Sequence, residues 1–141
     1  MIPRFRAWNK ATKEMYEADD IIAINFEDKS ICVQTIYFEQ GLPDSRDLDY
    51  YNFDDIVLMQ STGLRDKNER EIFEGDVLKV TNLSSWLEVV SFNEDKAMFV
   101  SKEVKRKVEE TPLYDLFNTD IFEVEIIGNI YTNPGLAEVN S

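Results

Sequence analysis

The sequence predicts a mainly β protein, a barrel or a sandwich of many short strands, and three observations predict it. β-branched and aromatic runs recur at close spacing with polar turns between them. Several of these runs alternate polar and apolar residues with period 2, the pattern of a half-buried strand. The 141 residues carry 43% hydrophobic and 30% charged residues, the balance of a globular chain that buries a core without staples. No internal repeat and no low-complexity segment interrupts it.

The elements follow in order. Arg4-Phe5-Arg6-Ala7-Trp8 alternates and reads as a strand; residues 9–13 are polar and turn-like, and Met15 and Tyr16 restart a short strand. Residues 21–26 and 31–38 are β-rich and are joined by the polar Glu27-Asp28-Lys29-Ser30, which predicts an antiparallel hairpin. Residues 41–51 read as an acidic loop, with Gly41 and Pro43 as breakers. In residues 53–60 the run Ile56-Val57-Leu58-Met59-Gln60 is compatible with a buried strand or a helical turn leading into one, and Asp54-Asp55 can cap such a turn. Residues 61–70 are polar and turn-rich. The tight Glu74-Gly75-Asp76 turn then feeds a strand whose Val77, Leu78 and Val80 can meet a core. Residues 86–92 and 97–101 are further strands around the turn Asn93-Glu94-Asp95-Lys96. Residues 102–111 are charged and read as a mobile loop or a short solvated helix. Leu113 to Phe117 reads as a helical turn, and residues 121–131 as a last alternating strand ended by Asn133-Pro134-Gly135.

Composition removes whole classes of chemistry. The chain has no His and one Cys, which excludes imidazole bases, Ser-His-Asp and Cys-His triads, and an intramolecular disulfide. The single thiol fits a reducing compartment, the start Met-Ile-Pro-Arg-Phe-Arg has no apolar leader, and no segment approaches the ~20 apolar residues of a membrane helix. These features point to a cytoplasmic protein without membrane contact. Cys32, between Ile31 and Val33, reads as a buried inert thiol. Asn82-Leu83-Ser84 matches a glycosylation acceptor by chance. Gly63 and Gly75 flank a charged stretch, but the loop is acidic and a strand follows it, so turn geometry is favoured over a phosphate cradle. Asp44, Asp47, Asp49 and Asn52 lie close together without the glycine and closing Glu of a calcium loop, which leaves at most a weak carboxylate site.

The formal net charge is −13, which repels polyanions at long range. The positive charge that exists is clustered: Arg4, Arg6, Lys10 and Lys13 near the start, and Lys102, Lys105, Arg106 and Lys107 later. Residues 39–55 are acidic. Solvated faces account for these clusters most simply; an acidic surface that meets a basic partner is the sharper alternative. Trp8 and Trp86 both fall on expected strands, where core packing and interface anchoring are the competing roles.

The run from Met59 through Thr62-Gly63-Leu64-Arg65-Asp66-Lys67-Asn68-Glu69 to Glu71-Ile72-Phe73-Glu74-Gly75-Asp76-Val77 resembles the signature of the YopX family of phage and prophage proteins. The opening Arg4-Phe5-Arg6-Ala7-Trp8-Asn9-Lys10 and the closing Ile126-Ile127-Gly128-Asn129-Ile130-Tyr131 are similar to the same family's ends, so the resemblance spans the chain. It implies a small SH3-like barrel in the C-terminal part, additional N-terminal strands and one or two short helices. It also implies a phage or prophage origin and no established enzymatic activity. The residues it marks as structural are Thr62, Gly63, Leu64, Asp66, Gly75, Asp76, Trp8, Gly128 and Asn129. There are departures: Ser61 stands where an aromatic is common, Asn9 replaces Asp, and Asn68-Glu69 replaces Asn-Gly. Because Glu resists positive φ, the last departure predicts a longer or differently typed turn, or Asn68 alone in the left-handed region.

The expected organisation is an N-terminal β-rich segment over 1–58, an SH3-like barrel over 59–135 and a disordered tail over 136–141. The expected function is a non-catalytic module that binds protein, either itself or a bacterial host or phage protein, without cofactor or metal. The candidate interaction residues are Trp86, Arg4, Arg6, Lys102, Lys105, Arg106 and Lys107. Two alternatives use charge: a nucleic-acid-associated module working through the basic clusters, and an acidic decoy of a host nucleic-acid-binding protein.

Overall fold

The structure, a computed structural model, describes residues 2–138. The chain is mainly β, and its helical pieces are single 3-10 turns at Ala18–Asp20, Phe53–Asp55, Leu113–Leu116 and Pro134–Ala137. Contacts divide it into two compact units that meet in sequence between Met59 and Gln60. Residues 139–141 of the expected tail lie outside the described residues, while Leu136 and Ala137 belong to the last 3-10 turn and are half-buried.

In the N-terminal unit, β1 (Phe5–Asn9) pairs antiparallel with β2 (Glu14–Tyr16) and lies beside β6 (Ile56–Arg65). Asn9 makes the β1–β2 turn: its Oδ1 accepts from the backbone N–H groups of Ala11 and Thr12, at 2.9 and 3.1 Å, and its Nδ2 donates to Tyr16 Oη. With Asn at this position the Tyr16 hydroxyl accepts in that third bond; with Asp it would have to donate. A second sheet runs β3 (Ile21–Asn25), β4 (Ser30–Glu39) and β5 (Leu42–Asn52). The core of this unit is Ala7, Ile31, Val33 and Ile56, with Tyr16 and Tyr51 stacked at 5.2 Å beside it.

The expected β3–β4 hairpin is present. The expected acidic loop over 41–51 is not: from Leu42 onward the chain forms the eleven-residue β5 (Leu42–Asn52), paired with β4 except at the bulged Asp44. Gln40 and Gly41 at the turn both take positive φ, 53° and 78°, the geometry of a tight primed hairpin turn that carries the chain straight back. Gly41 thus turns the chain into a strand that begins at Leu42.

The C-terminal unit is built on a curled, half-barrel sheet of order β11-β10-β9-β8-β12. Its strands are β8 (Asp76–Asn82), β9 (Ser84–Asn93), β10 (Met98–Glu103), β11 (Thr111–Pro112) and β12 (Glu123–Asn129). The end of β6 pairs with β7 (Glu71–Phe73) in the same unit. Ile72, Leu78, Val80, Val90, Leu113, Leu116, Val124 and Ile126 form the core, with Trp86, Phe99 and Phe122 packed against it. Residues 104–110 form no helix; Val104 is buried and its N–H bonds to the Leu87 carbonyl, which pins the start of this segment to β9.

Candidate functional site

The family-like motif of the C-terminal unit is a set of turns closed by side chains. Thr62-Gly63-Leu64 is a bulge in β6: pairing jumps from Ser61↔Phe73 to Arg65↔Glu71, and Gly63 takes φ 79°. Thr62 Oγ1 donates to the Ile72 carbonyl and accepts from the Leu64 N–H, so one hydroxyl serves both edges of the bulge. Asp66 is buried at 4% exposure and accepts three backbone N–H groups. Asn68 and Arg70 donate to Oδ1 at 2.9 Å each, and Ile126 of β12 donates to Oδ2 at 3.0 Å. Burial pushes this carboxyl upward, but the three backbone donors together with the charge of Arg70 outweigh it and hold Asp66 below the usual carboxylate range.

Glu69, not Asn68, takes the left-handed conformation in that turn, with φ 64°. The Asp66 carboxylate fixes the N–H groups on either side, at Asn68 and Arg70, so position 69 must adopt the geometry whatever its side chain. Gly75, φ 86°, and the buried Asp76 close the β7–β8 turn, where Asp76 Oδ2 accepts from Phe73 N at 2.8 Å. At the other end, Gly128 sits so close to Asn133 and Leu136 that an added Cβ would lie 2.5 Å from Asn133 Oδ1. Asn129 Oδ1 accepts from the N–H groups of Tyr131 and Thr132. In the N-terminal unit Trp8 is buried within β1, opposite Met15. All nine motif residues therefore sit in core, turn or bulge positions.

Trp86 is half-buried on β9. Its indole Nε1 donates to Glu88 Oε2 at 2.8 Å, and its ring meets Phe122 edge-on at 6.1 Å. Ser101 Oγ on β10 donates to the other oxygen of Glu88 at 2.7 Å. Glu88 is 6% exposed, with both oxygens engaged by neutral donors. Sequence reasoning passed over this carboxylate, although period-2 alternation with Trp86 on β9 places both on one face. The cleft beside it, about 360 Å³, is walled by Trp86, Phe122 and Leu116. Such a carboxylate orients the indole and the Ser101 hydroxyl, and among the described residues no basic side chain bonds to it.

The structure brings several candidate residues together. Trp86, Lys105 and Arg106 line one recess, and Lys102, Arg106 and Lys107 line a larger groove of about 740 Å³. Arg106 Nε approaches Glu103 at 3.9 Å. Among the described residues, Lys102, Lys105 and Lys107 have no ion-pair partner. Arg4 and Arg6 belong to the N-terminal unit, where Arg4 pairs with Asp19 at 3.1 Å. Arg6 is a correction to the expected basic surface: it is 6% exposed and its Nε points to Met59 Sδ at 3.4 Å. β1 is buried on both faces, so alternation does not carry Arg6 outward.

The feature that charge-based reading missed is the outer part of β4–β5, an arm over residues 35–50 with no buried residue. The register gives it two unlike faces. Gln34↔Leu48 and Ile36↔Arg46 share one face with Phe38, Pro43 and Tyr50; Val33↔Asp49 and Thr35↔Asp47 share the other with Tyr37. A bulge between Tyr37 and Phe38 absorbs Asp44 and keeps the first face continuous. On the acidic face Tyr37 Oη donates to Asp47 Oδ2 at 2.9 Å, and that bond, with the charges of Asp47 and Asp49, holds the Tyr37 phenol above its usual range. On the apolar face Phe38 is 64% exposed and Tyr50 is 70% exposed. Arg46 Nη1 donates to Gln34 Oε1 across it.

Among the described residues no three Cys, Asp or Glu side chains gather in a way that could hold a metal ion. Also among them, no helix is long and apolar enough to cross a membrane.

Comparison with known proteins completes the description. No curated protein matches the chain. Among solved structures it is similar to the crystal structure of protein EF1440 from Enterococcus faecalis, with 26% sequence identity and a TM-score of 0.63 over 98% of this chain and 99% of that one. The family described as YopX protein matches residues 4–138, nearly the whole length, and the chain belongs to the YopX family.

Proposed function

We propose that this chain is a non-catalytic protein-interaction module, working in the cytoplasm of a phage-carrying bacterium, and that the β4–β5 arm is its binding element. One observation carries the reading: an amphipathic two-stranded ribbon exposes Ile36, Phe38, Leu48 and Tyr50 on one face and adds no residue to the core of its unit. Isolated two-stranded ribbons are marginal in water, and a contiguous exposed apolar face is a mark of an interaction site. Fully burying an Ile or Phe side chain is worth about 1.5–3 kcal/mol, so the arm's exposed apolar residues can contribute several kcal/mol to an association. The absence of His and the full engagement of Glu88 by neutral donors support a non-catalytic role.

The test is capture by cross-linking from lysogenic or infected cells, with the wild-type chain and with Ile36→Ser/Phe38→Ser. Both side chains are exposed, so the variant should melt within about 0.5 kcal/mol of wild type. Its captured partner should fall at least about tenfold. Equal capture by the two proteins would refute the arm as the binding element.

A further inference from the structure

We infer, resting on the reading of the arm as the binding element, that its partner is a second copy of this chain: the arm of one protomer seats in the groove beside residues 102–109 of another. Three complementarities point there. The groove has an apolar floor, with Val89, Val104 and Val108 lining it, to receive Ile36 and Phe38. Its rim carries Lys102, Arg106 and Lys107, while the arm carries Asp44 at the bulge beside its apolar face and Glu39, Asp47 and Asp49 on the opposite face, where they add to the long-range attraction. Over residues 35–50 the arm has a net charge of −3, with Arg46 as its single cation; over residues 102–107 the groove segment has +3, with Glu103 as its single anion. Arg46 is the one charge on the arm's apolar face, and Glu103 and Glu109 are acids among the residues that line the groove.

Electrostatics selects this site over the others. A chain of net charge −13 repels its own copies almost everywhere, so self-association is steered to the basic surface that remains open. The N-terminal basic cluster is largely engaged within its own unit: Arg4 pairs with Asp19, Arg6 is buried and Lys10 Nζ donates to the Asp54 carbonyl, which leaves Lys13 as its one exposed cation without such a contact among the described residues. Lys102, Lys105 and Lys107 are exposed and, among the described residues, without an ion-pair partner. Packing two arms against each other by their apolar faces would instead bury Arg46 with no acid facing it. An arm-into-groove contact joins two different surfaces, so it leaves an arm and a groove free at the ends of each pair and propagates to a ring or a chain.

The experiment is sedimentation at low and high salt of the wild type, an arm variant (Ile36→Ser/Phe38→Ser), a groove variant (Lys102→Glu/Arg106→Glu/Lys107→Glu), and an equimolar mixture of the two variants. The wild type should self-associate, and salt should weaken it. Each variant alone should associate at least about 100-fold more weakly. The mixture should form one-to-one heterodimers that grow no further, because the groove variant keeps its arm and the arm variant keeps its groove. A wild type that stays monomeric at every concentration overturns the inference, as does a groove variant that assembles like wild type. Loss of cellular-partner capture by the arm variant supports the arm as binding element whatever the sedimentation result, and an arm variant that behaves as wild type throughout refutes it.

Discussion

Replacing Asp66 by Asn tests whether one buried carboxylate ties the β6–β7 turn to β12. The side chain keeps its size, and one oxygen can still accept from Asn68 and Arg70 at the former Oδ1 position. The new Nδ2 then faces the Ile126 N–H, a donor against a donor 3.0 Å away in a buried site. Loss of a charge-assisted bond costs about 1.5–3 kcal/mol, and leaving a buried N–H unpaired belongs to the same order, so the expected loss is about 3 kcal/mol. For a chain of this length that is a fall of about 6–12 °C in melting temperature. The acid limb offers an independent check. A carboxyl held below its usual range in the folded state stabilises above the unfolded value, and that contribution disappears as pH falls through the folded one. Wild type should therefore lose stability below pH ~4 more steeply than Asp66→Asn. Urea unfolding followed by tryptophan fluorescence across pH reads both effects. A variant within about 0.5 kcal/mol of wild type at neutral pH, with a parallel acid limb, would refute the reasoning.

Three other outcomes are expected. Glu69→Gly should raise stability by about 0.5–1 kcal/mol, because φ 64° costs Glu more than glycine's added unfolded-state freedom; the denaturant midpoint shows it. Gly128→Ala should cost about 1–2 kcal/mol in the same assay. It pushes a methyl against Asn133 Oδ1 and Leu136 Cδ1, both side-chain ends that can turn partly away. Tyr51 is pushed up to about 12 by its hydrogen bond with Tyr16, then by burial and neighbouring charge. Its raised value stabilises the fold below the usual phenol range and is lost as pH rises toward 12, so alkaline unfolding should be less steep in Tyr51→Phe.

How much was legible in the residues depended on where each strand finds its partner. The β3–β4 hairpin and the Glu74-Gly75-Asp76 turn could be read because local composition and local structure agree there. β5 could not be read from its composition: Pro43, Asp44, Asp47 and Asp49 disfavour a strand, and pairing to the β-branched β4 overrides them. The alternation of Asp47 and Asp49 with Leu48 and Tyr50 was the available signal, blurred by the bulge at Asp44. Arg6 was placed outside by alternation because period 2 assumes one wet face, and β1 has none. For Asp66 the resemblance marked the position, but its contact to Ile126 spans 60 residues and only the fold supplies it. Glu88 and Ser101 lie on neighbouring strands, and their pairing likewise depends on register.

The two-residue turn at Gln40-Gly41 has a consequence for how relatives of this chain can differ. Nothing beyond residue 35 on β4, or before residue 50 on β5, is anchored in a core, so the ribbon can be lengthened or shortened without disturbing either hydrophobic cluster. Adding one residue to each side would swap the two faces at the tip, whereas adding two would preserve them. Its reach is therefore quantised, in steps of about 7 Å. Length variation among relatives at this hairpin should come in blocks of four residues, a pattern that would mark the ribbon as a ruler under selection.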